Sequence, residues 1–238
     1  MSSSPKALLF KFPGTNCDAE TARALENVGF EADVKPISLI SAESLKDYQL
    51  LVFSGGFSYG DYVMAGRLAQ LEIERRIGSA VQQFYHDGGY LLGICNGFQI
   101  LTKLGILPEA SLIENTSGRF VCRWATVEQK VTNNAFLQGL PERFELPVAH
   151  AEGRLVTPSQ ESTDQLFDDG VVALTYEQNF NGSSRAIAGL QDQDGRVLGL
   201  MPHPERFTER RHHYDSRWAE ADHGWGHYLF SSVRKSLS

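Results

Sequence analysis

The stretch LLGICNGFQIL, Leu91 to Leu101, contains the strongest indication of the fold of this chain. The apolar run at residues 90–94 has the length and composition of a buried strand. After Cys95, Asn96 and Gly97, apolar residues return at helical spacing over 98–104. A strand that passes into a helix within three residues is typical of an open α/β sheet, whose binding sites form where the strands end.

The same alternation runs through the first half of the chain. It predicts strands over residues 6–12, 49–53 and 90–94, and helices over 19–28, 65–86 and from 98 onward. The second half is richer in strands, predicted over 120–127, 144–149, 171–176, 184–190 and 197–201, with a last helix over 226–235. We therefore predict a flavodoxin-like α/β fold: an open, mostly parallel sheet with helices on both faces. Since no internal repeat or linker-like segment interrupts the chain, a single domain over residues 1–238 is expected.

The composition excludes several classes of function. The 238 residues carry a formal net charge of -7, which argues against a nucleic-acid-binding surface. No apolar run reaches the roughly 20 residues that cross a bilayer, and the N-terminus lacks the pattern of a secretory signal. The three cysteines, Cys17, Cys95 and Cys122, form no C-x-x-C pair. A cytoplasmic protein with reduced thiols is expected.

Cys95 occupies the centre of a G-x-C-x-G pattern at the predicted strand–helix junction. This pattern is typical of a nucleophile elbow, in which glycines at positions 93 and 97 make room for a sharp turn. The N-terminus of the following helix favours a thiolate and supplies N–H groups to an oxyanion. The alternative is a buried, inert cysteine, which is what most cysteines are.

A thiolate nucleophile needs a general base, and His203 is the best-placed histidine. It follows the strand predicted over 197–201, so it is expected at the same sheet edge as Cys95. Glu205 lies two residues further on and can orient the imidazole. A local His–Glu contact on a surface loop is the alternative.

The glycine-rich loop at 54–61 lacks the Lys-Ser/Thr of a phosphate loop. The N–H of Gly56 is predicted to form an oxyanion hole together with the N–H of Asn96.

Other polar residues have simpler interpretations. The spacing of His223 and His227 suits a helical metal pair, but a metal usually needs three protein ligands, and we expect none here. Helix capping by Asn16 or Asp18 explains the surroundings of Cys17. His150 and Glu152 are expected to pair with each other or to approach a partner protein. Cys122 is expected to be structural.

The chain resembles the class I (triad) glutamine amidotransferases over residues 6–232. Within them it is most similar to the glutaminase subunits that serve phosphoribosylformylglycinamidine synthase. The motifs that carry the resemblance are FPGTNCDAET (12–21), SGGFSYGD (54–61), GICNGFQIL (93–101), AHAEGR (149–154), FNGSS (180–184) and MPHPER (201–206). A C-x-G-x-Q element with a late H-P-E indicates any triad amidotransferase, whereas GTNCD and GGFSYGD indicate this subfamily.

The resemblance implies a role for each matching residue. Cys95 would be the nucleophile, His203 the general acid–base and Glu205 its orienting carboxylate, with the N–H groups of Gly56 and Asn96 as the oxyanion hole. The residues implied to bind glutamine are Gln99, Phe57, Asn179 and Phe180, the last two through a loop that lines the site with its main chain. Phe180 stands where the family more often has proline.

The resemblance also implies the reaction and the partners. The chain would hydrolyse L-glutamine to glutamate and ammonia and pass the ammonia to a larger ATP-dependent synthetase subunit, with a small accessory subunit between them. ATP and Mg would belong to that partner, and no cofactor is expected in this chain. Three alternatives remain: an amidotransferase subunit for a different synthetase, a catalytically silent docking subunit, and a cysteine hydrolase of peptides.

Overall fold

A computed structural model describes residues 4–56 and 65–237 of the chain. Eleven strands occur among the described residues: β1 Lys6–Lys11, β2 Glu31–Pro36, β3 Leu50–Phe53, β4 Tyr90–Ile94, β5 Ser111–Ile113, β6 Val121–Gln129, β7 Arg143–His150, β8 Arg154–Val156, β9 Val172–Tyr176, β10 Ile187–Gln191 and β11 Val197–Leu200. The α-helices are α1 Asp18–Glu26, α2 Ala65–His86, α3 Asn96–Lys103, α4 Gln160–Asp168 and α5 Trp225–Ser236. Short 3-10 turns connect some of these elements.

Nine strands form one sheet in the order β2-β1-β3-β4-β11-β10-β9-β6-β7, and β5 pairs with β8 apart from it. The five strands from β2 to β11 run parallel. The remaining four continue the sheet through antiparallel pairs. The predicted α/β architecture with an open, mostly parallel sheet is confirmed, and the antiparallel half accounts for the strand-rich second half of the sequence.

Strand β4 lies at the centre of the parallel half. It pairs with β3 on one side, where Val52 faces Leu92, and with β11 on the other, where Leu200 faces Ile94. Apart from the half-buried Tyr90 at the start of β4, all residues of these three strands are buried, which is why their sequences are nearly continuous apolar runs. The predicted meeting of the three loops after β3, β4 and β11 is therefore confirmed, since parallel neighbours end at one edge.

The turn from β4 into α3 is as tight as its glycines predict. A Cβ on Gly97 would lie 1.8 Å from the carbonyl oxygen of Phe53, and one on Gly93 would lie 2.6 Å from the carbonyl oxygen of Gly97. Helix α3 therefore packs its first turn directly against the end of β3. The amide of Cys95 still donates to the carbonyl of Leu200 at 2.7 Å, so the sheet pairing continues to the point of the turn.

Some predicted elements have different bounds. The strand expected over 184–190 begins only at Ile187, because Arg185 and Ala186 adopt positive φ angles of 45° and 60° and form a 3-10 turn. Strand β2 and helix α4 were not predicted. β2 has the sequence EADVKP and leaves Glu31 and Pro36 exposed, so it lacks the apolar run of a buried strand.

The segment after β11 packs back onto the antiparallel half of the sheet. His213 is buried, and its Nε2 lies 3.1 Å from Glu145 Oε2 on β7. Its ring also lies 4.7 Å from that of Trp124 on β6 and 5.5 Å from that of Trp218.

Among the described helices, none combines the length and the apolar composition that a bilayer crossing requires.

Candidate active site

A cavity of about 210 Å³ opens at the carboxyl edge of the parallel strands. Its lining includes residues that follow four of these strands, Cys17 after β1, Gly56 after β3, Cys95 after β4 and His203 after β11. The end of β7 contributes His150. The structure therefore brings Cys95 and His203, which are distant in the sequence, to one site.

Cys95 has the backbone geometry of a strained turn. Its φ and ψ angles are 53° and −108°, in a region that non-glycine residues rarely occupy, and it precedes the first residue of α3. The side chain is mostly buried but lines the cavity. A non-glycine residue held in such a conformation is a frequent feature of functional sites.

His203 is buried and held by the predicted carboxylate. Its Nδ1–H donates to Glu205 Oε1 at 2.6 Å, and both side chains are almost completely inaccessible to solvent. Burial, the largest single cause, would lower the pKa of His203, but the charge of Glu205, its hydrogen bond and the contacts with the thiols of Cys17 and Cys95 together outweigh it. The pKa of His203 consequently lies well above its ordinary value, which favours an imidazolium beside the thiols.

The absence of a side chain at Gly55 allows Cys95 and His203 to approach each other closely. A Cβ on Gly55 would lie 2.9 Å from His203 Cε1 and 3.3 Å from Cys95 Cβ. Both side chains therefore pack over the same glycine, at the end of β3. The alternative interpretation of His203 and Glu205 as a surface contact is wrong, since both are buried in the site.

Cys17 is a residue that sequence reasoning did not assign to the site. It is the N-cap residue of α1 but makes no side-chain capping bond, so neither of the expected caps occupies this position. Asp18 pairs with Lys11 Nζ at 2.6 Å, and Asn16 Oδ1 lies 3.4 Å from Cys17 Sγ. Burial raises the pKa of the Cys17 thiol, and the contact with His203 offsets this only in part. Arg206 Nη2 lies 3.2 Å from its sulfur. The signal in the sequence was weak: β1 runs parallel to β3 and ends at the same edge, but this alone does not place the side chain of Cys17 in the cavity.

The residues implied for the oxyanion hole lie at this edge. Asn96 opens α3, and the first helical bonds come from Phe98 and Gln99 to the carbonyl of Cys95. Within residues 4–56 and 65–237, no acceptor takes the N–H of Asn96. Gly56 lines the cavity with a φ of 126° and forms an isolated bridge with Thr15. Their role in binding an oxyanion remains a prediction.

The residues implied for glutamine binding have mixed positions. Gln99 lines the cavity, but its amide is already bonded, accepting from Asn96 Nδ2 at 3.1 Å and donating to the carbonyl of Glu152 at 3.2 Å. Asn179 and Phe180 lie outside the cavity lining. Asn179 instead bridges its own loop, and Phe180 packs behind the site. Phe57 lies outside the described residues. Their substrate contacts remain predictions.

His150 does not pair with Glu152 as expected. Its Nδ1 bonds to Asn115 at 3.1 Å, and its buried Nε2 has no hydrogen-bond partner in the part of the chain that the structure describes. Cys122 lies on β6, but its side chain is exposed, so the expectation of a structural thiol there is wrong.

The described part of the chain holds one group of side chains with the spacing of a metal site, and it overlaps the catalytic pair. Ligand atoms of Cys17, His203 and Glu205 all lie within 4.8 Å of one another. His203 and Glu205 are already bonded to each other, which leaves their bonded atoms unavailable as ligands without rearrangement. His223 and His227 do not belong to this group, and their rings stack 4.0 Å apart. The expectation that the chain carries no cofactor remains a prediction.

Comparison with known proteins defines the class to which this site belongs. Residues 4–235 match the family described as the CobB/CobQ-like glutamine amidotransferase domain. Since the match spans almost the whole chain, the protein belongs to this family of glutamine amidotransferases.

Individual relatives are more specific. The chain is 40% identical to the phosphoribosylformylglycinamidine synthase subunit PurQ of Dehalococcoides mccartyi, with 98% of each chain covered. It is 41% identical to the subunit of the same name from Thermotoga maritima, over 86% of this chain and 89% of the relative. Among solved structures, it matches a chain of PurLQS from Thermotoga maritima with a TM-score of 0.82 and 33% identity, covering 99% of this chain and 100% of the other. A glutamine amidotransferase from the same organism, with a TM-score of 0.57 and 21% identity, shares the fold.

Proposed function

We propose that the chain is the glutaminase subunit of phosphoribosylformylglycinamidine synthase. Curated relatives of nearly equal length carry the name of this subunit. The observation that carries the chemistry is the meeting of a strained cysteine, Cys95, and a buried His203–Glu205 pair in one cavity. This combination suits nucleophilic attack on a small carboxamide.

In the first step, the thiolate of Cys95 attacks the carboxamide carbon of L-glutamine. The carbonyl oxygen becomes an oxyanion, which the N–H groups of Asn96 and Gly56 stabilise. His203, protonated because Glu205 supports its positive charge, gives a proton to the departing nitrogen. Collapse of the tetrahedral intermediate breaks the C–N bond and yields ammonia and a γ-glutamyl thioester on Cys95.

In the second step, the now neutral His203 takes a proton from water. The resulting hydroxide attacks the thioester carbon, and a second tetrahedral intermediate forms in the same oxyanion hole. Release of glutamate returns the sulfur to the thiolate and His203 to the imidazolium. The catalytic pair is therefore restored after each turnover without any further reactant.

The ammonia has to reach an acceptor. The solved relative is part of a PurLQS assembly, and on this basis we infer a larger ATP-dependent synthetase partner and a small accessory subunit for this chain. ATP and Mg would bind to the larger subunit. This chain would then act in de novo purine biosynthesis in the cytoplasm.

Reconstitution with the synthetase partner tests this proposal. Cys95→Ala should abolish glutamine-dependent synthesis, a loss of at least about 10³-fold, because the other thiol of the cavity, Cys17, has a pKa raised by burial and stays protonated. Synthesis from added ammonia should continue at the wild-type rate, since the ammonia bypasses this chain. The assay measures amidine product and free glutamate side by side.

The exposed Cys122 provides the matched control. Cys122→Ala removes a thiol outside the cavity and should leave both activities unchanged. Loss of the ammonia-dependent reaction in Cys95→Ala would contradict the proposal, because it would mean that the cysteine supports the complex and not the release of ammonia.

A further inference from the structure

His150 is a buried residue of the cavity to which the reaction above gives no role. It ends β7, is 3% exposed and lines the cavity together with Cys95 and His203. The positive charge of His203 is one of the causes that lower the pKa of His150. Since buried polar atoms normally have hydrogen-bond partners, the partner of each ring nitrogen of this imidazole has to be identified.

Asn115 determines the tautomer of this imidazole. The Nδ2 of Asn115 donates to the carbonyls of Arg119 and His150, at 3.0 and 2.9 Å, so that end of the amide must be the NH₂ group. The Oδ1 end accepts from the N–H of Gly153 at 3.3 Å and lies 3.1 Å from His150 Nδ1. Because Asn115 Oδ1 can only accept, His150 Nδ1 carries the proton.

The other ring nitrogen is therefore a lone-pair acceptor. Burial, the larger cause, and the charge of His203 lower the pKa of His150 to about 4, so the ring is neutral at physiological pH. Within the described residues, 4–56 and 65–237, Nε2 of His150 has no hydrogen-bond partner. A buried acceptor without a partner costs free energy, which a ligand that donates a hydrogen bond would recover.

The ring is held firmly in this orientation. A Cβ on Gly153 would lie 2.2 Å from His150 Nδ1, so the backbone packs directly against one edge of the imidazole. The ring of Phe180 stacks on its face at 5.9 Å, and Phe180 in turn contacts Tyr176. Asn115, Gly153 and Phe180 thus fix the direction of the Nε2 lone pair before any ligand binds.

A fixed acceptor selects among the groups of L-glutamine. Its carboxylate and its carbonyl oxygen cannot donate, so only the α-ammonium and the carboxamide NH₂ remain. The carboxamide is the reacting end, placed by Cys95 and His203. By this elimination, the α-ammonium is the group of the substrate that suits the acceptor.

We propose that His150 Nε2 accepts a hydrogen bond from the α-ammonium group of the substrate glutamine, and so selects for an α-amino acid. This role rests on the proposed function, because it concerns the same cavity and the same substrate. His150 is a substrate-binding residue in this assignment and takes no proton during turnover. Phe180, which stacks on it, positions the ring without touching the substrate.

The test uses the complete complex and two variants. His150→Phe keeps an aromatic ring but has no acceptor, whereas His150→Gln keeps an amide oxygen at about the reach of Nε2. Glutamate or glutarate release is measured with L-glutamine and with glutaramate, which lacks the α-amino group. For His150→Phe, we expect the KM for L-glutamine to rise by roughly 10- to 100-fold with little change in kcat, since a hydrogen bond to a charged group is lost.

With glutaramate, kcat/KM should be the same for wild type and His150→Phe, because the group that His150 recognises is absent. His150→Gln should recover most of the affinity for L-glutamine. Synthesis from ammonia should be unchanged in both variants and reports an intact complex. Equal losses with both substrates, or no loss with L-glutamine, would overturn the assignment. Failure of the wild-type complex to release glutamate would instead overturn the proposed function.

Discussion

Two thiols share the cavity but differ in their surroundings. Cys95 stands on a backbone turn with a φ of 53° at the start of α3, where N–H groups favour a developing negative charge. Cys17 precedes α1, and burial raises the pKa of its thiol, which keeps it protonated. Only the thiolate form is a nucleophile, so the two cysteines should differ in reactivity although they lie in one site.

A glutamine-mimicking chloroketone should therefore alkylate Cys95 and spare Cys17 and Cys122. Peptide mass spectrometry after partial labelling measures the modified fraction at each site. In the variant Cys17→Ser the labelling of Cys95 should persist, because its activation comes from the helix and from His203. Label found mainly on Cys17 would contradict the assignment of the nucleophile, and the shared cavity makes this a stringent comparison.

The stability of the protein should depend on His150 in mildly acidic solution. The pKa of this group falls from 6.5 to about 4 on folding, so the unfolded state binds more protons between these two values. Stability should thus decrease as the pH falls through this window, by up to about 3 kcal/mol from this group. His203, whose pKa is raised by folding, is protonated in both states below 6.5 and adds no slope there; its contribution is lost at higher pH, as the pH rises through its folded-state pKa.

Urea unfolding at several pH values between 4 and 6.5 measures this effect, and His150→Gln is the reference that lacks the titrating group. The wild type should lose stability more steeply than the variant over this range. Parallel curves would show that His150 is accessible to protons in the folded state.

Among the helices and strands, those with a strong apolar pattern in the sequence have the bounds that this pattern predicts. Helix α2 at Ala65–His86 and strand β4 at Tyr90–Ile94 have the predicted bounds, because the helix has a long periodic apolar pattern and the strand a continuous apolar run. Helix α4 was missed, since only Leu166 and Phe167 are large apolar residues in it. The sequence still contained a signal for the start of this helix, since serine is a preferred N-cap residue. In the structure, Ser159 accepts a hydrogen bond from the N–H of Ser162 at 3.1 Å.

The junction between β4 and α3 should tolerate no side chain at Gly97. Gly97→Ala places a Cβ against the carbonyl of Phe53, which is backbone and cannot rotate away, and should destabilise the fold by about 3 kcal/mol. Gly78→Ala is the control, since Gly78 lies within α2 with its closest contact at 3.6 Å. It should stabilise the protein by up to about 1 kcal/mol. Similar unfolding midpoints for the two variants would contradict this account of the turn.

At the scale of the whole molecule, the late segment completes the site and covers the sheet. Strand β11 lies beside β4 although about a hundred residues separate them, and this pairing carries His203 to Cys95. The chain then continues to His213, which contacts Glu145 and the ring of Trp124. The segment after the catalytic pair is therefore tied to the antiparallel strands.

Removal of this tie should destabilise the whole fold. His213→Ala deletes a buried contact with Glu145 and leaves a space beside Trp124, at a cost of about 2–3 kcal/mol. The neighbouring His212 is more exposed, and His212→Ala should cost less than about 1 kcal/mol. Tryptophan fluorescence during urea unfolding measures both variants. Equal costs would mean that the segment contributes little to stability.

Sequence alone was enough for the local features: the strand–turn–helix around Cys95, the parallel direction of the strands in the first half, and His203 with Glu205 two residues on. Each of these depends on residues close together in the chain, where periodicity and turn chemistry act. Folding in three dimensions was needed to bring Cys17 into the same cavity and to bond His150 to Asn115, with no partner for Nε2 among the described residues. Such contacts depend on which strands are neighbours, and non-local packing leaves no periodic signal in the sequence.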